Sequence, residues 1–144
     1  MKNEEILADR LRESVGRFVR VTRARTDTLS GPHTSTLGLL GREGDATIAA
    51  LAQRRGVRHQ SASRTVLELQ DLGYVRRRPD PADGRAVVVA LTDAGREAVE
   101  ADRRARRDWM AGALAHTLDA DERRQLEALP GLLDKLSAYD DERP

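Results

Sequence analysis

No cysteine occurs in the chain, which excludes disulfides, thiolate metal sites, cysteine nucleophiles and thiol redox sensing together. Aromatic side chains are scarce, with one Trp, two Tyr and one Phe in 144 residues. A core drawn from this composition, 39% apolar and 34% charged, must be built mostly of Leu, Ala and Val. Such a core suits packed helices better than a β-sandwich. Long apolar runs are missing too. The longest, Ala86 to Leu91, is far too short to span a bilayer, and Met1-Lys2-Asn3-Glu4-Glu5 lacks the basic start and apolar stretch of a signal peptide. A soluble, cytoplasmic protein of about one domain is expected, with no membrane partner. No Gly-rich phosphate loop, Ser-His-Asp set or carboxylate–histidine metal motif is visible, and His33, His59 and His116 lack close metal-ligand spacing. Neither an enzyme nor a bound metal or other cofactor is expected.

The net charge of +1 hides an uneven distribution. Residues 1–50 sum to +1 and residues 86–118 to zero. Residues 51–85 carry eight basic and four acidic side chains, whereas residues 119–144 carry four basic and eight acidic. A basic centre between a neutral start and an acidic end is the pattern of a chain with one surface for a polyanion. Solvated faces on an Arg-rich protein would look the same, so charge alone does not decide.

Periodicity organises the rest. Leu7, Leu11, Val15 and Phe18 predict a long amphipathic helix from Glu4 to about Thr28, ended by Ser30-Gly31-Pro32. Pro32 suits the first turn of a second helix, which carries Leu37, Leu39 and Leu40 and stops in Gly41-Arg42-Glu43-Gly44. A short helix over 48–55 with Ile48, Leu51 and Ala52 inward is stopped by Gly56. A further helix runs from His59 to Leu72, with Ala62, Val66 and Leu69 as its buried stripe and Gly73 as its stop. Residues 74–78 and 86–91 read as two strands, joined by a Pro- and Asp-Gly-containing turn. Thr92 is placed to cap a helix from Asp93 past Trp109 to about His116, and Asp119 with Glu122 resembles a capping box. Pro130-Gly131 should kink or break the last helix, and residues 138–144 are expected to fray.

Helix, short turn, helix and basic hairpin make a winged helix-turn-helix, a mainly α fold with a small β-hairpin wing. Its second helix must bury one stripe and offer the other face to base edges in a major groove. His59, Gln60, Ser63 and Arg64 lie largely off the buried stripe. Gln60 has the donor and acceptor to pair with adenine and Arg64 the fork to pair with guanine, while Ser61 and Ser63 are suited to phosphates or bases. Leu67, also outward, is either a thymine-methyl contact or a packing residue against the wing. In the hairpin, Arg76, Arg77 and Arg78 lead into a turn whose far end is Arg85. A basic tip suits the narrow minor groove. Asp83, two residues before Arg85, either holds that guanidinium by a charge-assisted bond, initiates the turn, or does both.

At this point a resemblance carries further. Leu51-Ala52-Gln53-Arg54-Arg55-Gly56-Val57, Ser63-Arg64-Thr65-Val66 and Leu72-Gly73-Tyr74-Val75 resemble the helix-turn-helix of the MarR (multiple antibiotic resistance regulator) family. Arg78 to Arg85, a D-P-x-D-x-R pattern, followed by Leu91-Thr92-Asp93-Ala94-Gly95, is similar to that family's wing and its exit into the next helix. The likeness spans essentially the whole chain. It implies a homodimeric, ligand-responsive transcriptional regulator, usually a repressor, on pseudo-palindromic double-stranded DNA. Carried over, the DNA-binding positions are Arg58, His59, Gln60, Ser61, Ser63 and Arg64 with Arg77 and Arg78, and Arg85 supported by Asp83 in the minor groove. Two positions depart from the pattern: Arg58 stands where a small hydroxyl residue is usual, and Pro130 interrupts the last helix.

The apolar stripes at the two ends, Leu7 to Phe18 and Leu126 to Leu136, can pack within one chain or across a two-fold axis; the resemblance favours the second. The implied organisation is 1–30 and 93–144 as a dimerisation region around a DNA-binding region of 31–92. For the small aromatic or phenolic effectors that the family implies, Phe18, Trp109 and Met110 are the candidate pocket residues, although each also reads as core. A winged-helix architectural protein without effector and a helical protein-interaction module are the alternatives.

Overall fold

The computed structural model describes residues 2–139, so the expected fraying from Asp140 onward lies outside the described residues. In chain order the elements are α1 (Lys2–Thr26), α2 (Gly31–Glu43), β1 (Ala46–Thr47), α3 (Ile48–Arg55), α4 (His59–Asp71), β2 (Val75–Pro79), β3 (Val87–Leu91), α5 (Asp93–Thr117), α6 (Ala120–Glu127) and α7 (Leu129–Ser137). The chain divides within α5 into two compact units, Met1–Arg107 and Asp108–Pro144. No described helix is long and apolar enough to cross a membrane.

In the first unit the helix ends follow local chemistry. Ser30 accepts a hydrogen bond from the His33 amide to open α2, and Thr47 accepts one from Ala50 at 3.1 Å to open α3. Gly56 closes α3 with φ of 62°, a left-handed conformation that a side chain would strain, and so permits the sharp turn into α4. α4 buries Ala62, Thr65, Val66 and Leu69 along one stripe. Of these, Val66 and Leu69 join Leu37 and Leu40 of α2, Leu51 of α3, Val75, Val89 and Leu91 of the sheet and Val99 of α5 in one core. Each such Leu or Val contributes about 1.5–3 kcal/mol on burial, enough to fix α4 by that stripe and leave its other face exposed. On α1 only Thr22 and Thr26 are buried, and both hydroxyls donate one turn back, to Phe18 and Thr22 carbonyls.

The sheet is antiparallel in the order β1-β3-β2, with Arg78 opposite Val88 and Ala46 opposite Val89. β1, unforeseen, is two residues long and too short for any alternation to register. The other elements stand where the periodicity puts them, with ends moved by a residue or two. Tyr74 is not yet strand, because its amide still donates to the Leu69 carbonyl at 3.0 Å in the turn that closes α4. Ala86 belongs to the wing loop, with its amide on the Asp83 carbonyl. Pro79 ends β2 on a sheet edge, where its missing N–H costs no ladder bond. Likewise α1 ends at Thr26 rather than Thr28, and α4 at Asp71.

In the second unit, Asp119 accepts from the amides of Asp121 and Glu122 while Glu122 accepts from the Asp119 amide, a complete capping box on α6. Ala128 separates α6 from α7, whose first turn holds Pro130, so the proline breaks the helix as expected. No described residue from Asp108 to Tyr139 is buried.

Candidate nucleic-acid interface

α4 presents Arg58 at its N-cap and His59, Gln60, Ser61, Arg64 and Leu67 as exposed residues, with Ser63 half-buried at the margin. Arg58 makes no side-chain cap, so the first amides of α4 have no side-chain acceptor among the described residues. Such a helix start favours an anion. Thr65, on the buried side, donates to the Ser61 carbonyl at 3.0 Å.

The wing loop is built by two aspartates acting on the backbone. Asp80 Oδ1 accepts from the Ala82 amide at 2.9 Å, and Asp83 Oδ1 from the Arg85 amide at 3.0 Å. Asp80 and Ala86 close the hairpin with a backbone bond of 3.0 Å. Of the alternatives for Asp83, the structure shows the turn: its carboxylate holds the Arg85 amide, and no ion pair joins it to the guanidinium. An Asx turn satisfies a loop amide locally and leaves the arginine side chain exposed.

Other polar contacts fix the wing against the rest of the unit. Arg77 Nε donates to Gln70 Oε1 of α4 at 2.7 Å, and Arg78 reaches Asp45, just before β1, at 2.9 Å. These two arginines are therefore tethered, Arg77 exposed and Arg78 half-buried, rather than free at the tip. On α4 itself, Glu68 receives Arg64 Nε on one oxygen at 3.0 Å and lies 2.7 Å from His33 Nε2 with the other. The His33 bond first, then Arg64, hold the Glu68 carboxyl below the usual carboxylate range. Sequence reasoning passed over Glu68, although its four-residue spacing from Arg64 is the signal for such a pair. His33, 35 residues away, gave no signal.

A cleft of about 540 Å³ opens in the same unit among the end of α1, α2, α3 and α5. Arg23, Arg42, Arg54, Arg55, Arg103 and Arg106 line it, against one acidic lining residue, Asp102. Arg54 pairs with Glu43 at 2.7 Å, and Arg106 with Asp27 and Asp102 at 3.0 and 2.6 Å. Burial raises the Asp102 carboxyl despite Arg106, and lowers the Arg55 guanidinium. Arg55 Nη1 is buried with no hydrogen-bond partner among the described residues. Phe18, Trp109 and Met110 are not among the lining residues; Phe18 is 47% exposed and the other two are half-buried. Among the described residues no cluster of three or more His, Asp or Glu is placed to hold a metal ion.

A polar helix face seated on a second helix, flanked by a hairpin with an arginine at its tip, defines the class as winged helix-turn-helix DNA-binding regulators. The sequence profile described as MarR family matches residues 27–86. An HTH-type transcriptional regulator of Mycobacterium bovis is 41% identical over 140 residues, spanning 96% of this chain and 95% of that one. The chain belongs to the MarR family. A crystal structure of a putative transcriptional regulator from Pseudomonas aeruginosa superposes with a TM-score of 0.87 at 26% identity, covering 98% of this chain and 99% of that one. A mutant MarR from E. coli shares the fold, with a TM-score of 0.67 at 23% identity over 82% of this chain and 94% of its own.

Proposed function

We propose that this MarR-family regulator is a cytoplasmic homodimer that binds a pseudo-palindromic operator and represses transcription until a small effector releases it. The observation that carries the reading is the pairing of α4's exposed face with Arg85, held out from a loop whose backbone Asp80 and Asp83 pin. In this arrangement Gln60 and Arg64 read base edges. Arg58, His59, Ser61 and Ser63 position the helix on the backbone or bases. Arg77 and Arg78 supply positive charge along the wing, and Arg85 enters the flanking minor groove. Residues 31–92 form the DNA-binding region, and 1–30 with 93–144 the dimerisation region. Two observations support the dimer. α1 leaves Ile6, Leu7, Val15 and Val19 exposed, and α7 leaves Leu132 and Leu136 at 53% and 59% exposure. Apolar stripes of that kind require a partner surface.

For the effector, the arginine-lined cleft fits a small aromatic or phenolic compound that carries an acid group better than a neutral one. Selection from random duplex DNA with purified protein tests the core of the proposal. An inverted repeat whose half-sites lie about one helical turn apart, roughly 34–36 Å, is the expected product. Failure to enrich any sequence would overturn it in favour of an interaction module.

A further inference from the structure

We propose that Glu68 is a positioning residue for base recognition: it holds Arg64 by the Nε edge of its guanidinium, and His33 holds Glu68 from α2. The inference rests on the reading of α4 as the recognition helix and adds a residue to it. Arg64 is 84% exposed at its side chain, a position where a long arginine ordinarily samples many rotamers. Here Nε is already engaged with Glu68 Oε1 at 3.0 Å. Neither terminal amino group of Arg64 has a partner among the described residues, so the two Nη groups stand as an unoccupied fork. With Nε occupied, that fork meets guanine O6 and N7 end-on.

Glu68 is itself held. Its second oxygen lies 2.7 Å from Nε2 of His33, whose side chain is only 15% exposed, so the carboxylate is anchored to a different helix. Neither of the ordinary reasons for a surface carboxylate accounts for this one. An exposed four-residue ion pair adds little stability. A negative charge on a face that meets phosphates also opposes binding. Direction is what the arrangement supplies: an arginine immobilised before DNA arrives loses less freedom on binding, and the fixed fork discriminates between base edges.

The test measures competition binding at one fixed salt concentration, using the selected operator and duplexes changed at each half-site position. Wild type, Arg64→Ala, Glu68→Ala, Glu68→Gln and His33→Ala are compared, with circular dichroism as the check on folding. Arg64→Ala is expected to erase a guanine preference of about 5- to 150-fold at one position per half-site, the span of a two-pronged contact. Glu68→Ala should shrink the preference at that same position about three-fold or more, while binding to random duplex holds or tightens as a repulsive charge leaves. Glu68→Gln, which keeps an acceptor for Nε, should retain most of the preference, and His33→Ala should fall between. A Glu68→Ala profile that keeps its shape while all duplexes bind more tightly overturns the proposal. So does Arg64→Ala lowering every duplex alike, a result that leaves the operator reading intact. Should Glu68→Ala not fold, an unchanged profile for His33→Ala overturns it equally. Loss of all sequence preference in wild type sinks both readings, and is thereby told apart.

Discussion

Asp83 and Arg85 stand two residues apart at the wing tip and meet through the backbone, with the Asp83 carboxylate on the Arg85 amide at 3.0 Å. That geometry separates two effects that the charges alone would merge. Removing a carboxylate near phosphates should tighten DNA binding; removing the bond that shapes the loop should weaken it. Asp83→Asn keeps the turn and deletes the charge, so it is expected to bind operator as well as wild type or better. Asp83→Ala deletes both, so relative to Asp83→Asn it should lose about 0.5–1.5 kcal/mol of binding, the worth of one such hydrogen bond. Equal tightening by both variants in a filter-binding or anisotropy assay would show that the loop needs no aspartate. Arg85→Ala should weaken binding most where A·T-rich flanks narrow the groove, and should flatten the salt dependence. The residues of the wing were legible in the sequence from the D-P-x-D-x-R pattern. Their pairing was not, because whether Asp83 takes an amide or a guanidinium depends on how Ala82 and Gly84 turn the chain. Gln70 and Asp45 as tethers of Arg77 and Arg78 were equally hidden, since each depends on how elements distant in sequence pack.

At the scale of elements, the L-T-x-x-G exit from the wing has a packing reason that spacing could not reveal. The Thr92 amide donates to the Tyr74 carbonyl at 3.1 Å, while its hydroxyl donates to the Gly73 carbonyl at 2.6 Å and accepts from the Gly95 amide at 3.1 Å. One residue thus ends β3, caps α5 and ties both to the turn after α4. Gly95 is buried against that turn, and a Cβ there would overlap the Tyr74 carbonyl, which as backbone cannot swing aside. Gly95→Ala is therefore expected to destabilise the fold by about 1–3 kcal/mol, the range for overpacking. In the helical core, Leu69→Ala should cost about 2–5 kcal/mol through cavity formation. Urea denaturation followed by circular dichroism checks both, and a Gly95→Ala midpoint equal to wild type would mean that α5 shifts without penalty. Helices were readable here because Ala62, Val66 and Leu69 repeat at helical spacing and because Gly56 and Asp119 mark ends by known chemistry. β1 was not, since Ala46 and Thr47 become a strand only by pairing with Val89 and Val88.

At the scale of the whole molecule, the amino-acid pattern identifies stripes but not their partners. In α4 the stripe is answered within the chain by Leu37, Leu51 and the sheet. In α6 and α7 no described residue is buried, although α7 carries Leu129, Leu132, Leu133 and Leu136 over two turns. A helix of nine residues is marginal on its own propensity and draws its stability from packing. The surface that packs it is therefore expected from a second copy. Replacing Leu132 and Leu136 together, Leu132→Glu with Leu136→Glu, puts two charges into that contact. Sedimentation should then give a species of 16.0 kDa in place of one twice as heavy. The charges fall outside the core that holds α4 and the wing, so circular dichroism of the helical core should change little. DNA binding should nonetheless collapse, because a dimer engages its second half-site at the high local concentration set by the first. Loss of that linkage costs about 10²–10⁴ in affinity. The residual binding should equal that of wild type on an isolated half-site, which ties the loss to valency and not to damage at α4. A double variant that sediments as a dimer and keeps operator affinity would place the two-fold contact elsewhere, with the exposed stripe of Leu7 and Val15 on α1 as the surface to mutate next.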